Sequence, residues 1–211
     1  MTEINRTTSF SKLDPLAYKA IESAFVFCKL RGNPYVELVH WVQQILQGSD
    51  SDLHRIVKHF ELDASRLAKD LTEALDRLPR GATSISDLAE PVETAVERGW
   101  VYASLMFGSG QIRTGHLVVG MLKTGSLRNA LMAMSRQFER LKADTLTDEF
   151  DKIVAGSPEE QMGSSEAGAP GESRGAVAPA ALGKQEALKK YATDLTARAR
   201  DGHMDPVTGR D

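Results

Sequence analysis

An all-α fold is what this sequence predicts, and three observations carry the prediction. Apolar residues recur at three- and four-residue spacing from Asp14 to about Phe150, with no sustained two-residue alternation of the kind a strand needs. Clusters of glycine, proline and asparagine fall at the ends of these stretches. The whole plan then runs through a second time, so the chain reads as a pseudo-twofold, duplicated four-helix repeat with one shared core.

The first long helix opens at Asp14-Pro15, an acidic N-cap followed by proline where a missing N–H costs nothing. Its apolar stripe is Leu16, Ala17, Ala20, Ile21, Ala24, Phe25 and Cys28, and Arg31-Gly32-Asn33-Pro34 ends it. A second helix is expected over about 37–46, with Leu38, Trp41, Val42 and Ile45 inward. A short one follows over 52–59, and a longer one over 64–78 with Leu67, Leu71, Leu75 and Leu78. Ahead of them all, the segment carrying Ile4 and Phe10 has room for one further short helix.

After a turn-like joint from Pro79 to Ser84, the pattern returns. Ile21-Glu22-Ser23-Ala24 matches Val92-Glu93-Thr94-Ala95, and Val36, His40-Trp41-Val42, Ile45 and Leu46 match Ile112, His116-Leu117-Val118, Met121 and Leu122. Gly48 matches Gly125, and Leu53 and Leu67 match Leu127 and Leu141. On this alignment the second copy holds about five extra residues around 106–110. The repeats run over about 13–78 and 85–150, inside a domain covering 1–155. From 156 to 183 glycine, serine, alanine, proline and glutamate dominate and aromatic residues are absent. Such a segment has too little apolar area to offset its ordering entropy, so a flexible tether spanning roughly 25–35 Å is expected. A charged amphipathic helix is expected after it, over about 185–200.

Composition narrows the function. The net charge of −3 gives no electrostatic footprint for nucleic acid. Met1 to Lys12 is polar and lacks a signal-peptide core, and no apolar run approaches the roughly 20 residues that span a bilayer. A soluble cytoplasmic chain without membrane partners is the expectation. Cys28 is the single cysteine; alone it forms no internal disulfide, and within an apolar stripe it reads as packing.

The candidate chemical sites are weak. His54 and His59 are five apart and split around a helix, so no metal site is proposed. His40 and His116 open apolar helical runs and read as local caps. Gly108-Ser109-Gly110 lacks the lysine and further glycine of a phosphate loop. Asp148-Glu149 and Glu159-Glu160 read as solvated pairs at the domain edge, and no catalytic residue is assigned. An ATPase in its own right is disfavoured, because no G-x-x-x-x-G-K-[ST] pattern is present.

Two stretches resemble a known family. The helix over about 185–200 runs into Asp205-Pro206-Val207-Thr208-Gly209-Arg210-Asp211, which resembles the lead-in to the first ATPase ring of the Clp/Hsp100 AAA+ unfoldases. The resemblance makes 184–211 the start of an ATPase module. It puts Val207, Gly209 and Arg210 at the border of an adenine pocket, with Thr208 standing where the family usually has an aliphatic residue. It implies ATP and Mg in a longer homo-hexameric protein, and a monomeric, non-enzymatic portion without cofactor here. The two copies around His40-Trp41-Val42 and His116-Leu117-Val118 resemble the paired repeats of the Clp amino-terminal domain. Within that family the runs 13–24 and 28–37 are most similar to the ClpV branch, the unfoldases of type VI secretion.

The small residues of the first helix leave two readings open: a groove for a partner helix, or packing against the rest of the domain. The resemblance implies the groove, receiving a helix of the contracted type VI sheath protein for ATP-driven disassembly. Its residues would be Phe10, Leu13, Leu16, Ala17, Ala20, Ala24, Asp87 and Leu88. The alternative within the same family is a general disaggregase or protease-associated unfoldase whose domain takes unfolded substrates or adaptors.

Overall fold

A computed structural model describes residues 6–164. The order is α1 (Arg6–Ser11), α2 (Pro15–Arg31), β1 (Tyr35–Val36), α3 (Leu38–Gln47), α4 (Asp52–His59), α5 (Ala64–Asp76), β2 (Asp87–Leu88), α6 (Glu90–Leu105), α7 (Thr114–Leu122), α8 (Gly125–Met134), a 3₁₀ turn (Arg136–Arg140), α9 (Ala143–Asp148), α10 (Phe150–Ile153) and α11 (Pro158–Ser164). The two-residue strands are too short to leave an alternating pattern in the sequence.

The helix ends follow local chemistry. Asp14 Oδ1 accepts from the Ala17 amide at 2.8 Å, and Gly32 closes α2 in the left-handed region at φ 69°, which favours glycine. Ser51 and Asp63 cap α4 and α5 in the same way as Asp14. His40 and His116 hold equivalent places: each Nδ1 accepts from the backbone N–H three residues earlier, Glu37 at 2.8 Å and Arg113 at 3.0 Å.

Two parallel pairings tie the halves together. Leu13, just before α2, pairs with Ile112, just before α7; Val36, before α3, pairs with Leu88, before α6. Exchanging α2 with α6 and α3 with α7 turns one pairing into the other. The hydrogen bonds agree, with Asp14 N–H donating to Ile112 C=O and Ala89 N–H to Val36 C=O, both at 2.9 Å. This relation corrects the sequence alignment of the first helices. Ala17, Ala20, Ile21, Ala24 and Cys28 are buried on α2 where Val92, Ala95, Val96, Gly99 and Ala103 are buried on α6. Ile21 thus corresponds to Val96, one helical turn beyond Val92, and the extra residues around 106–110 largely disappear. A slip of four residues keeps the same helix face, so apolar periodicity cannot detect it. The long helix α5 has no single counterpart; α8 is followed by the 3₁₀ turn, α9 and α10, and Leu141 falls between two of these pieces.

The core centres on α7, every residue of which is buried. It lies against α6, while α2 lies against α3. The carboxyl-terminal edge differs from expectation. Part of the stretch assigned to the tether is anchored on the domain: Ser157 and Glu159 are fully buried, and α11 begins at Pro158. The rest of the expected tether and the lead-in helix lie outside the described residues.

Candidate functional site

The expected groove residues are not equally available. Phe10, Ala17 and Ala24 are entirely buried, Leu13, Ala20 and Leu88 nearly so, and only Leu16 and Asp87 are partly exposed. The small-residue stripe of α2 is already claimed by α3, where the Trp41 indole N–H donates to the Ala17 carbonyl at 3.1 Å. Sequence spacing could not say which neighbour would take that stripe. Ala17 and Ala24 therefore belong to the core beneath any groove, and Leu88 is held in β2 opposite Val36.

The short helix α1 is present, and Arg6 fixes it. The guanidinium pairs with Asp87 at 2.9 Å and also with Glu93, while Phe10 inserts its ring into the core. Arg6 sits between carboxylates of β2 and α6, which hold its charge. Asp87 thus positions α1. Its Oδ1 also accepts from its neighbour's amide, Leu88 N–H, at 2.7 Å.

A second cluster, unread in the sequence, lies where the amino ends of α2, α4 and α7 meet α11. The Glu159 carboxylate, fully buried, accepts from Asp52 N–H at 2.6 Å, Thr114 N–H at 2.7 Å and the Thr114 hydroxyl at 2.6 Å. It so caps the first turns of α4 and α7 together, where helix dipoles favour an anion. Asp52, also fully buried, makes a two-pronged pair with Arg113 at 2.7 and 2.8 Å. Burial and the nearby Glu159 push Asp52 up to about 6 in spite of that pair. Burial, then Glu159, hold Asp14 well above the ordinary carboxylate range. Its Oδ2 has no donor.

The reading of Glu159 as solvated is therefore wrong. The available signal was Ser157-Pro158-Glu159-Glu160, a helix start with serine, proline and first-turn acids, hidden inside a low-complexity composition. No residue type marks Asp52, which comes from a distant part of the chain.

The remaining candidates do structural work. His116 packs against Phe107 and Phe150, each ring centroid 5.1 Å away and the two phenyl rings 4.4 Å from each other, and burial beside Arg113 lowers it to about 3. His40 contacts Asn33 Oδ1 through Nε2 at 2.9 Å, and burial beside Arg31 lowers it to about 4. Both rings are neutral near pH 7. Cys28 is buried with its thiol pushed up to about 11, first by burial and then by Glu37, which leaves little thiolate. Gly108-Ser109-Gly110 is the α6–α7 connection, with Gly108 at φ 60°. Among the described residues no group of three or more histidine, cysteine or acidic side chains could hold a metal ion, and no helix is long and apolar enough to cross a membrane. Val207, Gly209 and Arg210 lie outside the described residues.

No family model matches the chain. The AAA+ ATPase ClpV1 of Pseudomonas aeruginosa is 62% identical over 215 residues, covering 100% of this chain and 24% of that protein. The chaperone protein ClpB of Yersinia enterocolitica is 46% identical over 210 residues, covering 98% of this chain and 24% of that one. The chain thus spans about a quarter of the length of these curated relatives. A solved structure concerned with the coevolution of the ATPase ClpV, the TssB-TssC sheath and the accessory HsiE protein matches with TM-score 0.74 and 67% identity, over 75% of this chain and 98% of its own. A complex of a ClpV N-domain with a VipB peptide shares the fold at TM-score 0.65 and 20% identity, over 75% of this chain and 97% of its own.

Proposed function

We propose, from the fact that the chain belongs to the Clp/Hsp100 family and is of the ClpV type within it, that its domain is the recognition module of a type VI secretion unfoldase. It captures a helix of the contracted sheath and passes it to an ATP-driven ring for disassembly. The observation that carries this reading is the 67% identity to the structure tied to ClpV and the TssB-TssC sheath. Two duplicated units, over about 13–78 and 85–150, form the domain. The chain beyond residue 164 leads to an ATPase module starting near 184, where Val207, Gly209 and Arg210 border the adenine of ATP bound with Mg in a hexameric, cytoplasmic whole protein. The 211-residue chain itself is a monomeric binding module that does not hydrolyse ATP, since no phosphate-loop pattern occurs in its sequence.

The partner helix lies along Leu16, Ala20, Asp87 and Leu88, with Phe10 and Leu13 holding α1 as one wall and Ala17 and Ala24 beneath. What supports this is the Arg6–Asp87 pair, which places α1 beside β2. The second reading, a general disaggregase domain, has its own support in the 46% identity to a protein named ClpB. Pull-down from lysate of a strain assembling the secretion machine separates the two. Recovery of one sheath subunit, with a fluorescent sheath peptide binding at micromolar concentration, supports sheath capture. A broad set of unfolded proteins supports the disaggregase.

A further inference from the structure

Glu159 joins the two halves of the domain across a polar seam. Asp52 opens α4 in the first half and Thr114 opens α7 in the second. Backbone N–H groups in the first turn of a helix have no partner within that helix. Glu159, fully buried, takes both: Asp52 N–H at 2.6 Å and Thr114 N–H at 2.7 Å, with the Thr114 hydroxyl at 2.6 Å. Arg113 and Asp52 bridge the same seam at 2.7 Å, and Leu53 N–H donates across it to the Thr114 hydroxyl oxygen at 3.3 Å. The chain leading to Glu159 is fastened too. Ser157 is buried and its hydroxyl accepts from Glu159 N–H at 3.2 Å, while the Arg55 guanidinium on α4 donates to the Gly156 carbonyl at 3.1 Å. The seam adjoins the amino end of α2, since Asp14 N–H donates at 2.9 Å to the carbonyl of Ile112, just ahead of α7.

We propose that residues 156–159 are a strap that pins the point where the chain leaves the domain, at the seam between the halves and beside the amino end of α2. Hydrogen bonds to a carboxylate are roughly twice as strong as neutral ones, and here they converge on one buried group from both halves. Without the strap, the stretch 156–164 would let the exit wander by roughly 15–18 Å. The helix α2 has 17 residues and is roughly 25 Å long, so a pinned exit selects one end of it. For its function the strap rests on the sheath-capture reading. The first turn of α2, which bears Leu16, then sits beside the origin of the chain that leads toward the ATPase module, and the partner groove keeps a constant offset from that origin.

The test is double electron–electron resonance on the 211-residue chain, spin-labelled at Lys19→Cys on α2 and at Ser164→Cys, with the buried Cys28 left in place. One narrow distance distribution is expected. Glu159→Ala should broaden it to roughly 15 Å. Thr114→Val, which removes one donor and leaves the two amides, should broaden it less. A control pair at Lys19→Cys and Lys58→Cys, both exposed, should keep its distance in every variant. A broad distribution with Glu159 and Thr114 intact, an unchanged width in either variant, or a control pair that loosens as well each overturns the proposal. None of these readouts involves the partner. A sheath peptide that fails to bind a chain with a narrow distribution would sink the sheath-capture reading and leave the strap standing.

Discussion

Gly99 and Gly120 put α6 and α7 in backbone contact. A Cβ on Gly120 would lie 2.9 Å from the Gly99 nitrogen and 3.0 Å from the Arg98 carbonyl carbon. The atoms that would have to move are main chain on a central helix pair, so there is no flexible side chain to give way. Gly120→Ala gains about 1 kcal/mol of helix propensity. The overpacking costs about 1–3 kcal/mol, and the forced separation of α6 from α7 makes the larger value apply. A lower urea midpoint is expected; an unchanged or higher one would show that the helices can slide apart freely.

The partner groove is best probed at Leu16, which is partly exposed, since Leu88 is buried in β2 and a charge there would disturb the fold as well. Leu16→Glu should weaken a sheath peptide by about 2 kcal/mol, roughly thirtyfold in Kd, with helicity retained. Leu71 is fully buried, and Leu71→Glu should unfold the domain instead. Fluorescence titration paired with circular dichroism melting distinguishes these outcomes. Full peptide binding by folded Leu16→Glu would move the groove elsewhere.

Arg6→Ala should free α1 without unfolding the domain. The Arg6 pairs are partly exposed and contribute about 1 kcal/mol or less to global stability. Exchange of the α1 amides should accelerate and peptide binding weaken while the melting temperature stays nearly constant. If α1 stays protected, Phe10 alone anchors it.

Acid should destabilise the domain through its histidines. His40 and His116 are lowered in the fold to about 4 and about 3, against an ordinary 6.5. The unfolded chain therefore binds more protons than the folded one as pH falls below about 6.5, and stability drops through that window. Asp14 and Asp52, both raised, act in the opposite sense. His40→Gln retains an acceptor for Glu37 N–H and carries no charge, so its urea midpoint should vary less between pH 7 and pH 5. An equally steep profile in His40→Gln would assign the acid sensitivity to other groups.

How much was legible depended on the range of the interaction. Asp14-Pro15, Gly32 and the apolar stripes announced α2 because caps and periodicity are local. Glu159 was missed because its three donors come from residues far away in sequence, and its flanking glycines and serines matched those of a tether. Ala17 and Ala24 illustrate a different limit: small residues at helical spacing invite a neighbour, but only the fold says that α3 had already accepted. The matching places of His40 and His116 were visible in the sequence, and both cap their helices alike, whereas the register of α6 waited on the pairing of Val36 with Leu88.

The Leu13–Ile112 and Val36–Leu88 pairings each stitch one half of the chain to the other, which makes the domain a single folding unit. Neither half closes its own edge, so neither holds a complete set of tertiary contacts when made alone. Both closures join positions far apart in sequence and carry the associated loss of chain entropy late in folding. A nick in the turn between the halves would therefore yield two fragments that are poorly structured apart and reassemble only by complementation. The same crossing makes local damage global: loosening one half deprives the other of a pairing edge, and the domain melts as one body.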